Sequence, residues 1–248
     1  MTAPAPFKDF TFAFQPILDT ESGSVFAYEA LIRGTAGEPA NAVFARYRKD
    51  QLPLLDREAR VQAVRLAAAL GLRCGLSLNF MPHTLDTLPN AISSTLDAAA
   101  ECGLRPNQLI LEVTEGALIE DPARFAEQVN TYRAQGIRLA IDDFGAGYAG
   151  LNLLSEFQPD IVKLDMNLVR DVDSKGPRQA IARAIIQVCD ELGLEALAEG
   201  VESEAEQRWF ARRGVRLFQG YLIGRPALGE LPEPQNVLAL RKPRRAVG

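Results

Sequence analysis

Ile137-Arg138-Leu139-Ala140-Ile141-Asp142-Asp143-Phe144-Gly145-Ala146-Gly147 is the stretch whose reading decides the fold. An apolar run of strand length, Ile137 to Ile141, stops on two adjacent acids and a glycine-bearing turn. Strand ends of this kind converge on one mouth when parallel strands close into a barrel. Outward from this stretch the pattern repeats: Asn79 ends Gly75 to Asn79, Glu112 lies in Gln108 to Val113, and Lys163 in Asp160 to Leu164. Glu199 follows Leu194 to Ala198, Gln219 lies in Val215 to Tyr221, and Glu29 lies in Val25 to Ile32. Crowded acids repel, and a pair of divalent metal ions is the natural compensation.

Between the strands lie helical segments: Asp56 to Leu70, Ala91 to Cys102, Pro122 to Ala134, a short one near Tyr148 to Glu156, Pro177 to Leu192 and Ser203 to Arg213. Asp121-Pro122 reads as N-cap and first helical residue, and Ser203 with Glu206 as a capping box. Gly136, Gly193 and Gly214 each follow a helix, where a left-handed residue ends it. Ile181, Ile185, Val188 and Leu192 recur at helical spacing, which predicts a face packed on the sheet. Phe12 to Leu18 and Val25 to Ile32, joined by Thr20-Glu21-Ser22-Gly23, predict an antiparallel hairpin. The sum is an α/β fold, a TIM-like (β/α)8 barrel with an antiparallel first strand; an open doubly wound sheet is the alternative. The expected organisation is an N-terminal arm over 1–10, the barrel over 11–230 and a tail over 231–248, in which Arg241-Lys242-Pro243-Arg244-Arg245 reads as solvated.

A length of 248 residues with 47% apolar content suits one large domain. No apolar stretch reaches the roughly 20 residues of a bilayer span, and Met1 to Phe10 lacks an export signal, so no membrane association and a cytoplasmic location are expected. Lys and Arg total 27 against 32 acids, which argues against nucleic acid as a partner. Cys74, Cys102 and Cys189 are far apart in apolar surroundings and read as buried free thiols. His83 is the only histidine and receives no catalytic role; a histidine-rich zinc site and a Ser-His-Asp triad both lack their parts.

Glu29-Ala30-Leu31-Ile32-Arg33, Leu76-Ser77-Leu78-Asn79, Glu112-Val113-Thr114-Glu115, Asp142-Asp143-Phe144-Gly145, Lys163-Leu164-Asp165, Glu199-Gly200-Val201-Glu202 and Gln219-Gly220-Tyr221 form one ordered set. With that set the chain resembles the EAL-domain family, bacterial phosphodiesterases of cyclic di-GMP, from about Phe12 to Pro226. Tyr28 to Gly34 and Asp142 to Leu154 are most similar to EAL domains coupled to blue-light sensor modules. Thr35 to Leu55 is shorter than, and unlike, the corresponding segment of many members.

The resemblance implies that one metal takes Glu29, Asn79, Glu112 and Asp142, and that a second shares Asp142 and adds Asp143 and Glu199. Oxygen donors without Cys or His favour Mg²⁺ or Mn²⁺. Two such ions suit phosphodiester hydrolysis, activating water, holding the phosphate and stabilising the leaving oxygen. The implied reaction cleaves cyclic di-GMP to linear 5′-pGpG. By the same resemblance Glu199 accepts the proton of the attacking water and Lys163 holds that water or the phosphate charge; an ion pair of Lys163 with Asp165 is the structural alternative. Gln15, Leu31, Arg33, Asp56, Lys163, Gln219 and Pro226 match substrate-binding positions, while Glu115, Asp165 and Glu202 support the ligands, Glu115 by anchoring the loop after Asp143. Tyr148 to Leu154 is similar to the family's dimer-forming helix, which implies a homodimer, and there is room for a sensor or regulatory partner. The alternatives are a non-catalytic EAL module acting as a cyclic di-GMP receptor and a protein-interaction scaffold. The chain carries no GGDEF synthase half.

Overall fold

The computed structural model describes residues 7–117, 119, 121–147, 151, 154 and 158–235. The expected helix near Tyr148 to Glu156 and the basic tail lie outside the described residues, save Leu151 and Leu154.

The chain opens with β1 (Phe10–Asp19) and β2 (Ser24–Gly34), an antiparallel pair with a register shift at Ile17/Leu18. Parallel strands follow: β3 (Gly75–Asn79), β4 (Leu109–Thr114), β5 (Arg138–Phe144), β6 (Ile161–Leu164), β7 (Glu195–Ala198) and β8 (Leu217–Phe218). β1 then pairs with β8 as well as with β2, which closes the barrel. The open doubly wound sheet is excluded by that closure. A two-residue strand, β9 (Ala227–Leu228), pairs antiparallel with β1 at Ala13 and Phe14.

Helices cover the outside: α1 (Ala40–Phe44), α2 (Leu52–Ala69), α3 (His83–Thr87), α4 (Ser93–Glu101), α5 (Pro122–Arg133), α6 (Met166–Val169), α7 (Gly176–Leu192) and α8 (Glu204–Ala211). α2 begins four residues before Asp56 because Pro53 sits in its first turn, where its missing N–H costs nothing. Asp121 caps α5 by accepting from Arg124 N, and Ser203 and Glu206 form the capping box of α8. Gly136, Gly193 and Gly214 all take positive φ. On α7 the buried face is Ala182, Ile185, Ile186 and Cys189. Ile181 is 50% exposed and Leu192 38%, so the expected stripe is displaced around the helix. Only Cys189 is a buried thiol; Cys74 and Cys102 are half-buried, a correction to the reading of all three.

Strand periodicity carries the fold over into the site. Ile17, Ala27, Ile110, Ala140, Ile161, Leu197 and Leu217 pack together as a closed apolar layer inside the barrel. Side chains on a strand return to the same face every second residue. Two residues beyond this layer therefore stand Glu29, Glu112, Asp142, Lys163, Glu199 and Gln219, and on the reversed strand β1 the equivalent is Gln15, two before Ile17. The apolar layer seals the lower barrel and the polar layer floors the mouth.

Candidate active site at the barrel mouth

Lys163, 1% exposed, is the centre of the polar layer. Its Nζ lies 2.8 Å from Glu112 Oε1, 2.8 Å from Asp142 Oδ1, 2.8 Å from Glu199 Oε1 and 3.8 Å from Glu29 Oε2. No ion pair with Asp165 forms among the described residues; that carboxylate instead caps α6, accepting from Asn167 N at 2.9 Å. Burial alone would push the ammonium toward neutrality, but the carboxylates of Asp142, Glu112, Glu199 and Glu29 outweigh it and hold the proton well above the usual lysine range. Burial pushes the Glu199 and Glu112 carboxyls up, and neighbouring acids add to it against the pull of Lys163.

Glu29 is fixed from both sides: Gln219 Nε2 donates to its Oε2 at 2.6 Å and Asn79 Nδ2 reaches its Oε1 at 3.5 Å. Gln219 also donates to Gln15 Oε1 at 3.1 Å, and Gln15 donates to Gly224 O at 3.0 Å, so one amide chain ties β1, β2 and β8 together beneath the mouth. Ser77 Oγ donates to Glu112 Oε1 at 2.6 Å, and the other oxygen, Glu112 Oε2, is buried with no hydrogen-bond partner. A buried carboxylate oxygen without a donor is strongly unfavourable unless a cation meets it.

Asp142 and Asp143 occupy a bulge: β5 loses its register with β6 between Ile141 and Phe144. Asp143 takes φ 55°, its N–H donates to Asp142 Oδ1 at 3.0 Å, and its carboxylate stands exposed at the mouth. A bulge re-aims consecutive side chains that would otherwise point to opposite faces. Both acids thereby serve one site. Burial, then the charges of Asp142 and Asp165, raise the Asp143 carboxyl. Glu115 Oε2 accepts from Gly145 N at 2.7 Å and Gly147 N at 3.2 Å, and its own N–H donates to Asp142 O at 2.8 Å, pinning the turn after the bulge.

Among the described residues, two groups of acids present ligand atoms within 4.8 Å of one another: Glu29, Glu112 and Asp142, and Asp142, Asp143 and Glu199. Asp142 belongs to both. The all-oxygen donors and the unpartnered Glu112 Oε2 fit hard divalent cations.

A cavity of about 890 Å³ opens beside these groups, lined among others by Leu31, Arg33, Asp56, Asn79, Asp142 and Asp143. Arg33 Nη1 donates to Ile32 O at 2.8 Å. Asp56 is buried and engaged: it pairs with Arg60 and accepts from Met81 N at 3.2 Å. Its carboxylate is therefore a wall brace in this structure. Pro226 is half-buried beyond the end of β8, outside the cavity lining. Glu202 turns its carboxylate to Arg170 at 2.6 Å on the rim.

Three residues of the site escape a reading of strand ends. Ser77 holds Glu112, Arg60 holds Asp56, and Glu206 holds the turn after Glu199. Glu206 Oε2 accepts from Glu202 N at 2.9 Å and Ser203 N at 3.0 Å, while Oε1 accepts from Asp171 N at 2.9 Å. The capping box was the visible sign of Glu206; a lone hydroxyl in apolar Leu76-Ser77-Leu78 was the sign of Ser77. Gly200, at φ 63°, lets this turn pass Met166, whose Cβ would lie 2.5 Å from any Cβ at Gly200.

Carboxylates, a buried lysine and a cavity thus stand at the C-terminal ends of the strands of a closed barrel, where barrel enzymes place their chemistry. The family profile described as "EAL domain" matches residues 7–226, and the chain belongs to that family. Among curated relatives it is 37% identical over 222 residues to the blue light- and temperature-regulated antirepressor BluF of Escherichia coli, covering 89% of this chain and 55% of BluF. It is 34% identical over 163 residues to the cyclic di-GMP phosphodiesterase RocR of Pseudomonas aeruginosa, covering 65% of this chain and 41% of RocR. The chain thus spans about half the length of the curated relatives it matches. Among solved structures, a standalone versatile EAL protein from Vibrio cholerae O395 in its c-di-GMP bound form superposes with a TM-score of 0.87 at 41% identity, covering 92% of this chain and 96% of that one. Klebsiella pneumoniae BlrP1, in a manganese and cyclic di-GMP complex at pH 6, gives 0.86 at 38% identity over 95% of this chain and 61% of that one. The likeness to light-coupled EAL domains agrees with BluF. No helix among the described residues is long and apolar enough to cross a membrane.

Proposed function

We propose that this protein is a metal-dependent phosphodiesterase that hydrolyses cyclic di-GMP to linear 5′-pGpG. The observation that carries the reading is the doubled ligand group around Asp142, with Glu112 Oε2 left for a cation. Glu29, Asn79, Glu112 and Asp142 would hold one Mg²⁺ or Mn²⁺, and Asp142, Asp143 and Glu199 a second. When bound, two such ions supply positive charge to the scissile phosphate and the leaving oxygen and lower the pKa of the attacking water.

The protein's own groups do the rest. Glu199 Oε1, held 2.8 Å from Lys163 Nζ at the mouth, takes the water's proton. Lys163, fixed by three carboxylates, keeps its charge and offers it to the equatorial phosphate oxygens. Gln15 and Gln219 hold Glu29 still, while Leu31, Arg33 and the cavity wall receive the guanosine. Asp56 acts through Arg60 and Met81. Pro226 lies outside the cavity and is assigned no contact with the ligand, while Glu115, Asp165 and Glu202 support the loops. The barrel over 11–230 is the catalytic unit, working in the cytoplasm as a homodimer through the segment around Leu151, whose side chain is 64% exposed. A sensor or regulatory partner acts on it from outside.

A receptor that binds cyclic di-GMP without cleaving it is the second reading, favoured by the likeness to a protein named as an antirepressor. Chromatography of cyclic di-GMP incubated with protein and Mg²⁺ or Mn²⁺ separates the two: linear product supports the enzyme, bound but intact ligand the receptor.

A further inference from the structure

α1, the turn after it and the first residue of α2 contribute Ala40, Phe44, Lys49 and Leu52 to the cavity lining. α1 has five residues and buries only Val43. A single helical turn is unstable by itself, so its position depends on what stands behind it.

The N-terminal residues 7–9 stand behind it. Tyr47 donates its hydroxyl to Asp9 Oδ1. Arg46 Nη1 donates to Asp9 O at 2.9 Å and lies 3.5 Å from Asp9 Oδ2. The Phe7 and Tyr47 rings meet edge to face, with centroids 5.1 Å apart, and Gln62 of α2 donates to Phe7 O at 2.8 Å. Arg46 also reaches Glu38 Oε1 at 2.7 Å, and the other oxygen of Glu38 accepts from Ala36 N at 2.9 Å. Gly34 N donates to Glu38 O at 2.8 Å, directly after Arg33. One connected network therefore runs from the strand that enters the barrel, through Arg46, to the turn following a cavity-lining arginine.

We propose that the Asp9–Arg46–Tyr47 network is a latch that positions the α1 wall for the ligand in the cavity. Asp9, Arg46 and Tyr47 are positioning residues: none of them lines the cavity. Closing the latch sets the pose of Phe44, Lys49 and Arg33, and so sets affinity without touching the acids. The kinetic consequence rests on the phosphodiesterase reading; the mechanical one does not. A force applied to residues 7–9, from whatever precedes them or from a partner, reaches the ligand by this route.

The test uses the full chain and the variants Asp9→Ala and Tyr47→Phe. Hydrogen exchange reads the latch whatever the cavity binds. Asp9→Ala should speed exchange at the amides of Val43, Ala45, Arg46 and Tyr47 by roughly tenfold or more while β5 amides keep their protection; unchanged exchange in α1 overturns the latch. With cyclic di-GMP and Mg²⁺, Asp9→Ala should raise KM roughly tenfold with kcat within about twofold, Tyr47→Phe giving a smaller rise. A fall in kcat at unchanged KM also overturns it. If the unaltered protein neither binds nor cleaves cyclic di-GMP while α1 exchange accelerates in Asp9→Ala, the proposed function falls and the latch stands.

Discussion

Lys163 Nζ and Glu199 Oε1 are 2.8 Å apart, the first fully buried on β6 and the second just past the end of β7. The ammonium keeps this carboxylate in place and partly offsets the burial that raises its proton affinity. Glu199→Gln preserves shape and removes the proposed proton acceptor. Turnover of cyclic di-GMP should fall roughly 10²- to 10⁴-fold, the range for a lost general base. Steady-state kinetics with an unchanged melting temperature checks it, and near-unaltered turnover would remove Glu199 from that role.

Asp143 stores backbone strain at the bulge. A non-glycine residue at φ 55° costs on the order of 1 kcal/mol, and its charge faces Asp142. Asp143→Gly removes that strain and the charge facing Asp142, offset by about 0.5–1 kcal/mol of glycine backbone entropy, so stability should stay within about 1 kcal/mol while the second cation site and turnover weaken. Denaturant melts and manganese titration, run on the same samples, read both effects. A destabilisation well beyond about 1 kcal/mol, or an unchanged manganese affinity, would contradict this account.

Glu115 acts through Gly145 and Gly147. Removing its carboxylate with Glu115→Ala frees the turn that follows the acids, and metal affinity or activity should drop about 10- to 100-fold. Calorimetric titration of Mn²⁺ measures it; an unchanged affinity would mean that the bulge alone orients Asp142 and Asp143.

Glu206 supplies a pH-dependent part of the stability. Burial raises its carboxyl, but the N–H groups of Asp171, Glu202 and Ser203 outweigh burial and bring it below the ordinary 4.5. A depressed folded-state pKa stabilises above the unfolded value and is lost as pH falls through the folded one. Glu206→Gln should cost about 1–3 kcal/mol at neutral pH, and the cost should shrink as pH falls through the lowered folded-state pKa of the native carboxyl. Urea melts in a series from pH 7 downward test the sign; a cost that stays constant or grows on acidification would contradict it.

Most of the site was legible because barrel strands repeat every second residue. Apolar positions such as Ile110, Ile161 and Leu197 made the strands visible, and the polar residues two places on were conspicuous by contrast. α1, α3 and α6 were not legible, being too short to show a helical period. The face of α7 was misjudged because spacing marks Ile181 and Leu192 as apolar without revealing that Ala182 and Cys189 sit closer to the barrel. β8 is only Leu217–Phe218, although Gln219 still donates to Ala198 O and accepts from Val201 N beyond its end. Asp56 lines the cavity, but its partners, Arg60 one helical turn on and Met81 N across the loop, could not be read from its position alone.

The central claim is that oxygen ligands sharing Asp142 hold divalent ions that make this barrel a hydrolase. Purified protein is incubated with cyclic di-GMP in Mg²⁺ or Mn²⁺, with and without excess chelator, and the products are separated by chromatography. Linear 5′-pGpG that appears with metal, vanishes with chelator and returns on adding metal back is the expected result. Cyclic di-GMP that stays intact under every metal condition would contradict the claim.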